Sequence, residues 1–331
     1  LLQPRDMLLR YQVGPRLSNW VKSFAPDIIY TQPSSICHMS LARQIQMLSG
    51  AKMAIHIMDD WPMLFMQPDM SHRLRARKTL DLFQQMIDHS SLRLTISNKM
   101  AKEYQRRYGC EFIPFHNPAI LEERYADLPS AEKSPPPLKI IYSGGISSRN
   151  QLSALKTICQ SIGLLNKSGL SVEFHIYTHP RWQALYSKEL QFEHVLFKPY
   201  VSDQAEISRI YRESELLIIP LSFDRESLKY VSLSMPTKVS SYMASGTPIL
   251  VYASPETAFA DYAKEEGWAF VVSEPQEEGL RRMLHLALTS DEMRKQYRER
   301  ALTVVKENHE AQAVQKKFQS LLLSVGDHRV V

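Results

Sequence analysis

Short apolar runs alternate with amphipathic stretches along almost the whole chain, and that alternation restricts the fold more than any single motif. The runs "DIIYTQ" (27–32), "KMAIHIM" (52–58), "LRLTIS" (92–97) and "EFIPFH" (111–116) are separated by helical periodicity over 5–24, 38–48, 71–89 and 98–108. Strands divided by helices cannot pair as hairpins, so they predict a parallel sheet with helices packed on it. A second series follows, with strands at 138–143, 172–178, 194–198, 215–221 and 248–253. Helices are predicted at 150–166, 181–189, 203–212 and 236–244, with three more to the C-terminus.

Between the two series, "AILEERYADLPSAEKSPPP" (119–137) has no sustained apolar period and ends in three prolines, which reads as a stiff, exposed connector. A chain of 331 residues also exceeds what one core usually supports. The expected fold is therefore α/β, with two Rossmann-like domains in tandem at 1–118 and 138–308, a linker at 119–137, and a last helix at 309–331 able to cross back to the first domain. The first domain opens inside a helix, without a leading strand and glycine loop, and so reads as incomplete or reduced.

Composition narrows the function classes. No stretch reaches the run of about 18 apolar residues that a membrane span needs, and no secretory pattern opens the chain, so a cytoplasmic protein is expected. Cys37, Cys110 and Cys159 show no C-x-x-C spacing, which argues against a disulfide framework and a zinc site. The net charge of +5 is uneven: the first 120 residues carry 15 Lys and Arg against 9 Asp and Glu. Within them "SHRLRARK" (71–78) suits a solvated helix face, and it also suits anionic lipid headgroups or an anionic acceptor. No aromatic interleaving or binding motif accompanies it, so nucleic acid is not expected as a partner.

Ligands of open α/β sheets bind beyond the carboxyl ends of the strands, and four such junctions carry unusual residues. In "IIYSGGISSRNQ" (140–151), Gly144 and Gly145 let backbone amides approach an anion, and Arg149 offers a forked contact to phosphate. In "SMPTKVSSYMASGTP" (234–248), Pro236 suits a first helical turn with Ser234 or Met235 as cap, while Gly246 and Pro248 stop the helix. Lys238 in the first turn opposes the helix dipole, and an anion shared with Thr237 and the free amides explains its presence. In "PLSFDRES" (220–227), Glu226 can accept hydrogen bonds from sugar hydroxyls or be a solvated loop carboxylate, with Asp224 and Arg225 as ordinary loop charges. In "HIMDDWP" (56–62), Asp59 and Asp60 beside Trp61 can orient a sugar or act as a base; a helix cap and a metal pair are the alternatives, the metal weakened by the lack of a third ligand nearby.

Taken in order, "YSGG" (142–145), "FKPYVS" (197–202), "SMPTK" (234–238) and "YMASGTP" (242–248), with "TISNKMAKEYQRRYG" (95–109) and "HNP" (116–118), resemble the GT-B glycosyltransferases, and within them the retaining family-four type, glycosyl transferases group 1. The likeness runs from about residue 17 to about 323. It implies two Rossmann-like domains facing across a cleft, with a nucleotide-sugar donor held mainly by the second and an acceptor mainly by the first. By this analogy Gly144, Gly145 and Arg149 cradle the diphosphate with Thr237 and Lys238. Pro199, Tyr200 and Val201 would border the base, and Glu226 would contact the donor hexose.

Three positions depart from the family pattern. Ser241 stands where relatives carry a ribose-binding glutamate, Ile146 near the place of an arginine after the glycine loop, and Met58-Asp59 where many relatives have His-Asp. The expectation is a retaining, metal-independent hexosyltransferase with no cofactor beyond its donor co-substrate. Its acceptor would be a polysaccharide, glycolipid or other hydroxyl compound, and its basic first domain could touch the inner face of a membrane. A non-catalytic scaffold of the same fold and a nucleotide-sugar epimerase are the competing readings.

Overall fold

A computed structural model describes residues 11–63, 73–121, 135–148 and 150–326. The chain divides into two compact units, 1–116 with 312–331, and 117–311.

The first unit is built on a four-stranded parallel sheet, β1 (Ile28–Thr31), β2 (Lys52–Ile57), β3 (Leu92–Thr95) and β4 (Ile113–Pro114), in that order across the sheet. β2 is buried at five of its six positions, which explains why it reads as one apolar run. The run expected as a strand over 111–116 pairs only at Ile113 and Pro114, because proline cannot donate to a ladder. Helices Ile36–Ser49 and Asn98–Tyr108 start on Ser35 and Ser97, whose hydroxyls accept from the amides of His38 and Met100, and end on left-handed Gly50 and Gly109. The last helix, Ala311–Gly326, contributes Val314, Phe318, Leu321 and Leu322 to the core around Ala54, Leu94 and Phe115.

His56 and Asp60 are among the polar side chains buried in this unit. His56 meets the Tyr30 hydroxyl at 3.0 Å, and burial pushes its imidazole down to about 4, against a smaller upward pull from the Phe115 backbone. Asp60, 1% exposed, accepts the Tyr104 hydroxyl at 2.9 Å and an Arg107 N–H at 2.8 Å, and Arg107 also donates to Glu103 at 2.7 Å. Around that ion pair stand Trp61, Phe83, Tyr104, Tyr108 and Phe112, in edge or tilted ring contacts.

The second unit has a six-stranded parallel sheet: β5 (Leu138–Ser143), β6 (Val172–Tyr177), β7 (Val195–Lys198), β8 (Leu216–Pro220), β9 (Ile249–Tyr252) and β10 (Phe270–Val272). Its order, β10-β9-β8-β5-β6-β7, is the doubly wound arrangement in which the chain reverses direction across the sheet between β5 and β8. β8 and β9 are buried at every position and read as unbroken apolar runs, as strands covered on both faces must. After β9 come β10 and four helices, Ala258–Glu266, Glu277–Thr289, Asp291–Asn308 and Ala311–Gly326, where the sequence had suggested three helices and no strand. β10 has three residues, too few to show a period. The parallel crossings into and out of this unit are tied to each other: Ala119 bridges Glu310, and buried His309 reaches the Asn117 carbonyl at 2.9 Å and the Tyr262 hydroxyl at 3.0 Å.

The burial of His56 and of Asp60 has two measurable consequences. Above pH 6.5 His56 is neutral in both the folded and unfolded states; between 6.5 and 4 only the unfolded state takes up the proton, so stability falls by about 3 kcal/mol and then levels off. Urea unfolding of wild type and His56→Gln between pH 7 and 4 should show that loss in the wild type and a flatter profile in the variant. Removing the carboxylate of Asp60 strands Arg107, so Asp60→Ala should cost about 3 to 5 kcal/mol in the same assay, whereas exposed Asp59→Ala should cost less than about 1 kcal/mol.

Candidate functional site

The reversal between β5 and β8 opens a crevice beyond their carboxyl ends, and the chain fills that place with Gly144 and Gly145. Gly144 has φ +137°, a conformation that L side chains rarely adopt, and its amide donates to the Tyr177 carbonyl of β6 at 2.9 Å. The Tyr142 hydroxyl bonds back to the Gly145 carbonyl, closing the turn beneath the strand. On the β8 side, the Ser222 amide donates to the Asn150 carbonyl and its hydroxyl meets that of Ser153 at 2.7 Å. Both lips of the crevice are thereby fixed.

Lys238 is the cation that reaches this turn. Its Nζ lies 4.0 Å from the centre of the Tyr142 ring, and a Cβ on Gly144 would stand 2.6 Å from it. Glycine at 144 thus serves two ends, the positive φ and the space for the ammonium. Buried Tyr242, on the helix that begins at Lys238, accepts the Ser143 amide through its hydroxyl oxygen at 2.8 Å and lies edge-on to Tyr211 at 4.9 Å. Three tyrosines therefore surround the end of β5, and their burial holds each phenol above its ordinary range. The same burial pushes the Lys238 ammonium down to about 7. Among the described residues no carboxylate pairs with it. A cation packed against an aromatic face without a counterion is suited to receive an anion.

The local start of this helix differs from the sequence reading. It runs Lys238–Ser245 with Thr237 as the flanking residue, and Thr237 makes no side-chain cap, whereas Ser234 or Met235 had been expected to cap a helix beginning at Pro236. The physical reason lies upstream, where a helix that periodicity did not reveal, Arg225–Val231, ends in a turn through Ser232 and Leu233. Ser234 and Pro236 then form the approach to the helix, half-buried, and the Pro236 carbonyl accepts the Val239 amide at 3.0 Å. Thr237 is exposed beside Lys238.

Glu226 belongs to that shorter helix rather than to a loop. Its side chain is 73% exposed and pairs with Lys229 at 2.6 Å, and no hydrogen bond or ion pair connects it to Lys238 or to the glycine turn. Asp224, expected as an ordinary loop charge, is the helix cap: it accepts the Ser227 amide at 2.8 Å and the Ser227 hydroxyl at 2.6 Å. Burial raises its carboxyl, and those bonds outweigh the burial and leave it below the usual range.

Other expected residues fall into place around the same strand ends. Pro199 and Tyr200 are exposed and Val201 half-buried after β7, with the Tyr200 ring edge-on to His179 at 5.5 Å. Ser241 lines a cavity of about 470 Å³ walled by Gln204, Ser208 and Arg212 of the neighbouring helix and by Ile120. Arg149 and residues 122–134 of the expected linker lie outside the described residues, as does the start of the basic run at 71–78, of which Arg77 and Lys78 are exposed. In the first unit, Asp59 is exposed, while Asp60 is committed to Tyr104 and Arg107. That commitment corrects the reading of Asp60 as a catalytic candidate, because a carboxylate holding a buried ion pair is not available to a substrate.

Three contributors escaped the sequence reading. Trp182, in the helix Pro180–Tyr186, would lie 3.4 Å through its Nε1 from a Cβ on Gly145, and Arg181 stacks on that indole at 3.9 Å. Tyr142 belongs to the strand and to the motif "YSGG" (142–145) in the sequence reading, without a role of its own. The junction "THPRW" after β6 carries a signal of the same kind as the other four junctions, a cation and an aromatic at a strand's carboxyl end.

No group of three or more His, Cys, Asp or Glu that could hold a metal occurs among the described residues, and no described helix is long and apolar enough to cross a membrane. Residues 137–289 match the family described as "Glycosyl transferases group 1". No curated protein matches the chain in sequence. Among solved structures, sucrose-phosphate synthase from Thermosynechococcus elongatus superposes with a TM-score of 0.66 at 11% identity, over 96% of this chain and 82% of that one. An alpha,alpha-trehalose-phosphate synthase (UDP-forming) from Burkholderia vietnamiensis gives 0.66 at 12% identity, over 97% and 80%. The lipopolysaccharide outer core galactosyltransferase WaaB gives 0.60 at 18% identity, over 93% and 78%. The family match covers the doubly wound sheet, the glycine turn and Lys238, so the second unit is similar in sequence to the glycosyl transferases group 1, and the structural matches show that the chain has the GT-B fold.

Proposed function

We propose that the protein is a retaining glycosyltransferase that moves a hexose from a nucleoside-diphosphate sugar to an acceptor hydroxyl. The observation that carries this reading is the unpaired Lys238 ammonium at the Gly144 turn, at the point where a doubly wound sheet receives phosphate. The glycine amides and the first amides of the Lys238–Ser245 helix would take the diphosphate, with Thr237 beside them. Arg149, by the family likeness, would add a further contact.

Breaking the bond between sugar and diphosphate builds negative charge on the departing phosphate oxygen. Donors already fixed in place stabilise that charge without reorganising, and so act on the transition state more than on the bound donor. Lys238 fits this duty through its titration. Burial lowers it to about 7, near half-protonation at neutral pH; an anion alongside would reverse that preference and draw a proton in. No resident metal or cofactor enters the proposal. UDP is favoured as the leaving group by the name of the UDP-forming synthase of the same fold, and the galactosyltransferase among the structural matches makes a hexose reasonable.

The acceptor would be a carbohydrate or glycolipid hydroxyl, and the exposed Asp59 of the first unit is the remaining carboxylate of its pair for contacting it. Contact with the inner face of a membrane through the basic first half belongs to the same proposal. Glu226 serves the donor hexose in this reading only if its bond to Lys229 is exchanged for one to sugar hydroxyls.

The test uses the whole chain. Titration with UDP and GDP, followed by donor hydrolysis with the matching sugar nucleotides, should give binding and slow turnover for one base. Lys238→Ala should lower turnover at least about tenfold, a loss of roughly 1.4 kcal/mol of transition-state stabilisation. Calorimetry in two buffers of different ionisation enthalpy at pH 8 should show uptake of close to one proton per nucleotide bound, absent in the variant. Undiminished turnover in Lys238→Ala would remove the phosphate assignment.

A further inference from the structure

The glycine turn has a second neighbour whose chemistry is still unused. Lys238 occupies the space over Gly144; over Gly145, the next residue, stands the Trp182 indole, with the Arg181 guanidinium over that ring at 3.9 Å. Two consecutive Cα atoms are only about 3.8 Å apart, so the lysine and the indole flank one short piece of backbone. Arg181 is exposed and makes no ion pair among the described residues. On the same strand end, the Thr178 hydroxyl is 1% exposed and has no hydrogen-bond partner. A lone arginine seated on an aromatic face and an unanswered hydroxyl, both on one β-strand's exit, mark a place prepared for a polar ligand.

We infer that Arg181, seated on Trp182, is a second cation for the phosphate chain of the nucleotide, acting across the Gly144–Gly145 turn from Lys238. The inference rests on the reading of this turn as a diphosphate site. A nucleoside diphosphate carries several negative charges, and Lys238 supplies at most one positive charge. A guanidinium stays protonated across the whole working range and offers parallel N–H donors to two phosphate oxygens. Stacking on Trp182 holds the guanidinium plane before the ligand arrives, which lowers the ordering cost on binding.

The experiment titrates wild type, Arg181→Ala, Arg181→Lys and Trp182→Leu with UDP, GDP and inorganic pyrophosphate, with the thermal midpoint of each unliganded variant as the folding control. Arg181→Ala should weaken both the preferred nucleotide and pyrophosphate by about tenfold or more, the scale of one charge-assisted contact. Arg181→Lys should recover part of the loss, which a merely structural role would not show, and Trp182→Leu should weaken binding in the same direction. If Arg181→Ala weakens the nucleotide but leaves pyrophosphate unchanged, the arginine attends the base and the phosphate assignment is overturned. If wild type binds and Arg181→Ala binds equally, this inference fails while the diphosphate reading of the turn stands. If wild type binds none of the three probes, both fail together.

Discussion

The ammonium of Lys238 pressed onto the Tyr142 ring is the contact on which the second unit's organisation turns. Burying a cation without a carboxylate is unfavourable, and the site keeps the cost small by letting the proton leave near neutral pH. The arrangement needs each of its supports. Glycine at 144 leaves the volume, the Tyr142 and Tyr242 hydroxyls hold the end of β5, and Leu233 and Met235, buried ahead of the helix, fix where Lys238 begins. A sheet whose order reverses between β5 and β8 brings these pieces together, since the glycine turn follows one strand and the segment leading to Lys238 follows the other.

Much of this architecture could be read from the chain, for a physical reason. Parallel strands covered on both faces need long apolar runs, and β2, β5, β6, β8 and β9 each stood out as one. What stayed hidden was short or polar. The helix Arg225–Val231 is seven residues long and owes its start to Asp224 rather than to an apolar period, so its charges looked like those of a loop. The start of the next helix was placed too early for the same reason: Pro236 is a good first-turn residue, but the preceding turn uses it as the approach.

The candidate site was legible where chemistry sits in adjacent residues and obscure where the fold brings distant ones together. Gly144-Gly145 and Lys238 carried their signals locally. The pairing of Lys238 with Tyr142 spans almost a hundred positions of sequence, and no spacing rule reaches that far. Asp60 shows the opposite error. Two adjacent carboxylates beside a tryptophan looked like one functional pair, yet the bend after β2 brings Asp60 to Tyr104 and Arg107 of the helix Asn98–Tyr108 and leaves Asp59 exposed. The bend after β2 turns one carboxylate inward and the other outward, so this pair in sequence is not a pair in space.

Ser241 shares a helix with Lys238 but not its surroundings. One turn along from Lys238, the helix presents a hydroxyl and then Ala244 and Ser245 to the cavity shared with Gln204, Ser208 and Arg212. The Lys238 ammonium instead lies over Tyr142 and beside Gly144. Two residues one turn apart on this helix therefore have different surroundings: a charge at position 241 would meet Arg212 across the cavity, whereas the surroundings of Lys238 are set by the glycine turn and the tyrosines at the end of β5.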